Sequence, residues 1–251
     1  VDDVRHRRAT SFGDVADAYV RGRPGYPPEA IEWVLADAPG PRVIDLAAGT
    51  GKLTASLVAM GLDVTAIEPL EAMRQALAEV VPNVTVLAGT AESMPVGDGS
   101  ADGMLVAQAF HWFDPLPALT EMARVLVPEA PLGLIWNARD DSHPWVAELS
   151  QILAAPVDVV SRWDWSDGRP LTDHPDFRDS AHRRFPNDEL YTPQRLVEWA
   201  ESTSTIAILD PPERRQRLAQ VTELCRTHPD LRGRSSFPLP MVTMTIRATR
   251  R

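Results

Sequence analysis

Cysteine is nearly absent from this 251-residue chain: Cys225 stands alone, which excludes an internal disulfide and any thiolate-cluster metal site. That usage fits a reducing compartment, and a cytoplasmic protein is expected. Lysine is equally scarce, with Lys52 the single one among 25 basic residues. Together with the alanine and proline content this suggests a GC-rich genome and carries no functional information. Long apolar runs are missing as well, each being broken by Gly, Asp or Pro before the ~18 residues that a membrane span needs. The start, Val1-Asp2-Asp3, lacks the basic and then apolar stretch of a signal peptide, so none is expected. Positive charge is short. The formal balance is -10, with ten basic against nineteen acidic residues over 1–140 and fifteen against sixteen over 141–251. An acidic chain repels a phosphate backbone, which argues against a nucleic-acid partner. The six histidines (His6, His111, His143, His174, His182, His228) show no His-x-x-x-His pair. His143 beside Asp140 and Asp141 could attract Mg²⁺, but such acidic corners are usually solvated loops, and no metal is expected.

What is present is ordinary globular material, 44% apolar and 24% charged, in a length that suits one large α/β domain. The 23 prolines are dispersed as punctuation, and no repeat is evident. Over 10–38, Phe12, Val15, Ala16 and Tyr19 fall at helical spacing behind a capping Ser11. The run Arg21-Gly22-Arg23-Pro24-Gly25-Tyr26-Pro27-Pro28 then forbids helix, and Pro27 or Pro28 opens a second one through Ile31, Val34 and Leu35. From 42 to 137 strands and helices alternate. Strands are expected at Arg42–Leu46, Leu62–Ile67, Val84–Leu87, Met104–Ala107 and Leu132–Trp136, and helices at Lys52–Met60, Leu70–Val81 and through Leu116–Leu126. That rhythm requires crossovers and a doubly wound, mostly parallel sheet covered on both faces. After Asn137 it changes. Helices are expected at Pro144–Ala155, Pro193–Glu201 and Pro212–Arg226, with 156–190 lacking a sustained period. A final strand at 240–249 alternates Met241, Thr243, Thr245 and Arg247 with Val242, Met244 and Ile246. The expected organisation is a single domain over 1–251: lid helices at 10–38, a core at 42–137, a helical and irregular cover at 144–235, and the closing strand.

The stretch Asp45-Leu46-Ala47-Ala48-Gly49-Thr50-Gly51-Lys52-Leu53-Thr54 closes the first strand, where open α/β sheets bind ligands. A P-loop fails, because Gly51-Lys52 is followed by Leu53 and Leu46 stands where its first glycine belongs. A dinucleotide loop is poor, with Thr54 in place of the third glycine of Gly49-Thr50-Gly51-Lys52-Leu53-Thr54. The pattern, followed by an acid (Glu68) seventeen residues after Gly51, resembles the class I S-adenosylmethionine-dependent methyltransferases. Ala47 departs from the family, which usually has its first glycine there. Gly89-Thr90-Ala91-Glu92-Ser93-Met94-Pro95 and Ala107-Gln108-Ala109-Phe110-His111-Trp112-Phe113-Asp114 extend the resemblance over roughly 11–140. Three features, Phe12…Tyr19…Arg23-Pro24-Gly25-Tyr26-Pro27, Phe110-His111-Trp112-Phe113-Asp114 and Trp136-Asn137-Ala138-Arg139-Asp140, are similar to the small-molecule branch that holds trans-aconitate-type enzymes (methyltransferase type 11).

The resemblance implies a Rossmann-like, seven-stranded sheet and a cofactor, S-adenosylmethionine, that leaves as S-adenosylhomocysteine. It places Tyr19, Arg23, Asp45, Ala47, Gly49, Gly51, Glu68, Ala91, Glu92 and Ala107 at the cofactor, with Glu68 accepting from the ribose hydroxyls and Ala91 and Glu92 meeting the adenine edge. The implied chemistry is in-line methyl transfer to a small-molecule acceptor, with an oxygen (carboxylate or hydroxyl) favoured. His111 is the candidate base that a hydroxyl acceptor would need, or else a histidine that shapes its loop. Trp112 either lines the acceptor pocket or is core. Tyr26 belongs to the lid or to a surface segment. Asn137 and Arg139 could hold an acceptor carboxylate, Arg139 alternatively pairing with Asp140 or Asp141. Trp163 and Trp165 could cap an apolar substrate or anchor their segment. A nucleic-acid or protein methyltransferase and a non-catalytic cofactor-binding protein stand as alternatives. The acceptor and the choice between monomer and homodimer stay open.

Overall fold

A computed structural model describes residues 24–154 and 169–251, and the element bounds below refer to these. The expected helix at Tyr19, with Arg23, Trp163 and Trp165, lies outside the described residues.

In chain order, α1 (Pro28–Leu35) precedes β1 (Arg42–Leu46), α2 (Lys52–Ala59), β2 (Asp63–Ile67), α3 (Glu71–Val80), β3 (Thr85–Leu87) and β4 (Gly103–Ala107). A short 3₁₀ turn at Phe110–Trp112 leads into α4 (Pro115–Val125) and β5 (Pro131–Arg139). Beyond these come α5 (Pro144–Leu153), α6 (Arg169–Thr172), β6 (Phe177–Pro186), β7 (Glu189–Tyr191), α7 (Pro193–Glu201), α8 (Ser204–Ala207), α9 (Pro211–Thr227), β8 (Phe237–Leu239) and β9 (Met241–Arg250).

Seven strands form one sheet in the order β3-β2-β1-β4-β5-β9-β6, and the pairs β3–β2, β2–β1, β1–β4 and β4–β5 are parallel. The fold is thus the α/β, doubly wound, mostly parallel sheet that the alternating pattern predicts. Strand order reverses between β1 and β4, and the crevice outside their carboxyl ends is where such sheets take ligands. Parallel strands covered on both faces should read as continuous apolar runs. Val43–Leu46 of β1 and Gly103–Val106 of β4 are accordingly buried throughout.

The compact unit holding this sheet contains 25–137, 169–185 and 243–251 among its described residues. Its helix α1 lies so close to the sheet that side chains are excluded beneath it. A Cβ on Gly133 would stand 2.3 Å from Val34 Cγ1, and one on Gly103 2.8 Å from Leu35 Cδ2. At the amino ends of the strands, Arg42 grips Asp102 through Nε (3.0 Å) and Nη2 (2.6 Å), and its backbone N–H donates to the same carboxylate. Glu121 and Arg124 on α4 hold the connection from β3 to β4. Glu121 accepts from Met94 N–H, while Arg124 donates to Asp98 and to the carbonyls of Val96 and Met94.

The other unit contains 138–154 and 186–242 among its described residues. Its core joins Trp145, Leu149, Tyr191, Trp199, Val221, Leu224, Phe237 and Leu239. Antiparallel β7 and β8 pair Glu189 with Leu239 and Tyr191 with Phe237. The helices expected over Pro144–Ala155, Pro193–Glu201 and Pro212–Arg226 appear as α5, α7 and α9.

Three strands are hidden in the sequence: the longer β6 and the three-residue β7 lie within the stretch expected to be helical and irregular cover, and the three-residue β8 lies just after it. Residues 177–186 show no period of two, yet they form β6 at the edge of the sheet. Only Phe177 and Phe185 are buried there, with Ala181 half-buried between them. A spacing of four along one face mimics helix as readily as strand. The other positions are charged or polar, as suits an exposed edge that must not pair with a second chain. Strand β9 carries a second surprise. Its buried positions run through Met241, Thr243 and Thr245 and then shift phase to Ile246 and Ala248, because an interior strand has both faces covered.

Candidate active site

The site is built first from the end of β1. Asp45 is 1% exposed. The Thr54 hydroxyl, one turn into α2, donates to its Oδ2 at 2.6 Å, whereas Oδ1 is buried with no hydrogen-bond partner among the described residues. Burial, with the nearby charge of Glu68, raises this carboxyl to about 7 against the hydrogen bonds from Thr54. The loop that follows winds through three left-handed residues, Ala47 (φ 57°), Gly49 (φ 57°) and Gly51 (φ 84°). At Gly51 glycine is needed twice over, for its φ and because a Cβ would lie 2.9 Å from Leu77 Cγ. Ala47 takes the same kind of conformation with a side chain present, at a cost of about 1–2 kcal/mol.

Glu68, directly after β2, locks this loop in place. Its Oε2 accepts from Gly49 N–H at 3.0 Å and its Oε1 from Leu70 N–H at 2.9 Å. Burial pushes the carboxyl upward, and the two backbone N–H donors and the charge of Arg74 oppose that rise. Each oxygen retains lone pairs for a further donor.

The segment after β3 makes a tight turn, with Thr90 and Ser93 bridged, Ala91 buried and Glu92 exposed. Glu92 Oε1 accepts from the backbone N–H of Asp114, the residue that caps α4, at 3.0 Å. The Ala91–Glu92 turn is therefore tied to the end of the loop that carries His111.

That loop begins at Ala107, the last residue of β4, half-buried beside β1. Phe110 is fully buried and meets Phe113 edge-on at 5.7 Å, which pins the 3₁₀ turn to the core. His111 and Trp112 are left half-buried with ring centroids 4.6 Å apart, and Trp112 packs on the main apolar cluster. Gln108 holds a position in this loop that its residue type does not announce. Its φ is 57°, its N–H donates to the Ile135 carbonyl at 2.8 Å, and its Nε2 donates to the Asn137 carbonyl at 3.2 Å. Nothing in a glutamine signals a left-handed residue, so only the backbone could reveal it.

Asn137 sits near the end of β5 and acts as a clasp. Its Nδ2 donates to the Gly25 carbonyl at 2.9 Å, and its Oδ1 accepts from the buried Thr243 hydroxyl at 2.6 Å. Tyr26, next to Gly25, packs half-buried against the cluster of α1, β1 and β5. Arg139 belongs to the other unit. There its Nε donates to Ser150 Oγ at 2.6 Å, Ser150 in turn donates to Asp141 at 2.6 Å, and the guanidinium lies 5.6 Å from the Trp199 ring centre. His143 stands 3.9 Å from Asp140, and no group of three metal-ligating side chains occurs among the described residues.

Asp45, Ala47, Gly49, Gly51, Glu68 and Ala107 thus converge at the carboxyl ends of neighbouring strands, with Ala91, Glu92 and His111 linked through Asp114. A glycine-cradled turn beside two buried carboxylates, one oxygen of which lacks a donor, fits a polar, cationic cofactor such as S-adenosylmethionine. Comparison with known proteins agrees. Residues 44–133 match the family model described as a methyltransferase domain. An uncharacterized methyltransferase of Mycobacterium tuberculosis is 42% identical over 245 residues, covering 98% of each chain. An uncharacterized methyltransferase-like protein of Schizosaccharomyces pombe is 34% identical, covering 92% of this chain and 91% of its own. A solved chain from Anaeromyxobacter dehalogenans, provisionally named a type II methyltransferase, superimposes with a TM-score of 0.69 at 24% identity, covering 91% of this chain and 97% of that one, and shares the fold. With its loop, its acidic residue after β2 and relatives along its whole length, the chain belongs to the class I S-adenosylmethionine-dependent methyltransferases.

Proposed function

We propose that the enzyme methylates an oxygen of a small-molecule acceptor, a carboxylate or a hydroxyl, by in-line displacement. The observation that carries this reading is the loop after β4: a half-buried imidazole tilted at 45° against a half-buried indole, beside the strand that ends in the glycine turn. Such a wall suits a small, partly apolar acceptor, and the charge of -10 disfavours a polyanion.

S-adenosylmethionine supplies a methyl group on a sulfonium, so the protein's task is to bind, orient and keep water out. In this reading Glu68, held by two backbone donors, accepts from the ribose hydroxyls without needing to reorganise. The left-handed turn at Ala47, Gly49 and Gly51 lets backbone approach the ligand, and the Ala91–Glu92 turn meets the adenine edge. Asp45 is the acceptor for a cationic donor, and Ala107 closes the floor. On the acceptor side, Trp112 and Tyr26 form apolar wall. His111 takes the proton of a hydroxyl acceptor, whereas a carboxylate acceptor is already anionic and needs only orientation.

The test is methyl uptake from radiolabelled cofactor by a panel of aliphatic carboxylates, phenols and amines, with wild type and His111→Ala. The reading expects uptake on a carboxylate or a hydroxyl. His111→Ala should lower turnover about 10²–10⁴-fold for a hydroxyl and leave a carboxylate substrate nearly unaffected. Labelling confined to amines would refute the oxygen assignment.

A further inference from the structure

Two carboxyl groups stand at the ends of adjacent strands, and both are buried: Asp45 is 1% and Glu68 5% exposed. Their hydrogen bonds are unequal. Glu68 uses both oxygens, on Gly49 N–H and Leu70 N–H, while Asp45 uses one, on the Thr54 hydroxyl, and leaves Oδ1 buried without a donor. A buried carboxylate oxygen with nothing to satisfy it is costly as an anion and far less so as part of a neutral carboxyl.

Among the described residues, the compensation at Asp45 comes from Thr54 and reaches only one of its oxygens. On β2 the residues opposite Asp45 and Leu46 are Ala66 and Ile67, and on β4 they are Leu105 and Val106. Arg42, Asp63 and Asp102 stand at the other, amino ends of these strands. From α2 comes the Thr54 hydroxyl, with Lys52 at that helix's first residue. From α3, Arg74 donates to the carbonyls of Glu68 and Pro69, and its charge acts on Glu68. Among the described residues, the charge of Glu68 acts on Asp45, and it is of like sign. Two interacting carboxyls of this kind titrate as a pair.

We propose that the Asp45–Glu68 pair holds one proton in the cofactor-free enzyme and releases it to solvent when the ammonium-bearing amino-acid end of the cofactor enters. The released proton comes from the carboxyl O–H, passes to the buffer, and leaves an anion whose oxygen now has a cationic donor. The inference rests on the reading that Asp45 faces the cofactor. Its consequence is that affinity for cofactor and product depends on pH, weakening in acid, with S-adenosylhomocysteine affected like S-adenosylmethionine because both carry the ammonium. A burial shift toward neutrality at both carboxyls accords with this.

The experiment is calorimetric titration of the full chain with S-adenosylhomocysteine at several pH values between about 5.5 and 8.5, each in two buffers of different ionisation enthalpy. Linkage predicts a binding constant rising about tenfold per pH unit in the acid range and levelling above the pair's titration. It also predicts buffer-dependent heat equal to nearly one proton released in acid and none at the alkaline end. Methylthioadenosine, which lacks the amino-acid end, should bind without releasing a proton. Asp45→Asn should remove the release, and Thr54→Val, which deletes the one hydroxyl on Asp45, should move its midpoint to higher pH. Binding of S-adenosylhomocysteine with no buffer-dependent heat at any pH would overturn the proton coupling and leave the cofactor site standing. Equal release with methylthioadenosine would overturn it too. Absence of S-adenosylhomocysteine binding by wild type at every pH would overturn the cofactor reading itself, and this inference with it.

Discussion

At Ala47 the backbone sits at φ 57° with a β-carbon attached, in a turn whose other left-handed positions, Gly49 and Gly51, are glycines. Ala47→Gly relieves that crowding while adding freedom to the unfolded chain. The first effect is larger, and a gain of about 0.5–1 kcal/mol is expected in urea denaturation. An unchanged midpoint would mean the turn relaxes around the methyl group. Asp45 gives a prediction of pH dependence. Its carboxyl is raised in the folded state to about 7 from 3.8, so the native state binds a proton that the unfolded state has already lost between those values. The cofactor-free enzyme should therefore lose stability as pH climbs through that window, because the native pair keeps a proton that the unfolded chain has released. Asp102, lowered by its pairing with Arg42, works in the opposite sense and loses its contribution in acid. The diagnostic comparison is between wild type and Asp45→Asn, whose denaturation free energy should be flatter between pH 5 and about 7.5. Parallel curves for the two proteins would contradict the assignment.

At the level of elements, the contact of α1 with the sheet depends on absent side chains. Gly133→Ala places a methyl 2.3 Å from Val34 Cγ1, and a cost of about 1–3 kcal/mol is expected in thermal or urea unfolding. Val34→Ala should recover part of that loss in the double variant, because it removes the atoms being struck; strict additivity of the two losses would argue against this packing. The clasp at Asn137 joins Gly25, β5, β9 and, through its carbonyl, Gln108. Asn137→Ala leaves the buried Thr243 hydroxyl without that acceptor, and about 1–3 kcal/mol should be lost. Elements such as β1, β4, α2 and α7 are legible in the sequence because their apolar spacing is strong and prolines or glycines mark their ends. The edge strand β6 is not, since its three inward residues lie four apart among charges. The site divides in the same way. Gly49, Gly51 and Glu68 can be read from residue type and spacing, whereas Gln108's left-handed backbone and the Asn137 clasp arise from contacts between distant segments that no local pattern encodes.

Over the whole molecule the formal charge is -10, with the excess of acid concentrated in residues 1–140. Among the described residues no helix is long and apolar enough to cross a membrane. Fold and binding meet most closely at Glu68, the buried acid that follows β2. Its two oxygens hold Gly49 and Leu70 and, in the reading given above, the cofactor's ribose as well. Glu68→Gln keeps the shape but turns one acceptor into a donor, so one of the two backbone N–H groups meets an NH2 and a single oxygen is left to accept. The most direct test is titration of wild type and Glu68→Gln with S-adenosylhomocysteine near pH 8, with urea denaturation of both as a control. Saturable binding is expected for wild type, with affinity at least about 10-fold weaker in the variant, equivalent to ~1.4 kcal/mol or more, and the fold intact. Equal affinity in the two proteins would contradict that expectation and place the ribose elsewhere.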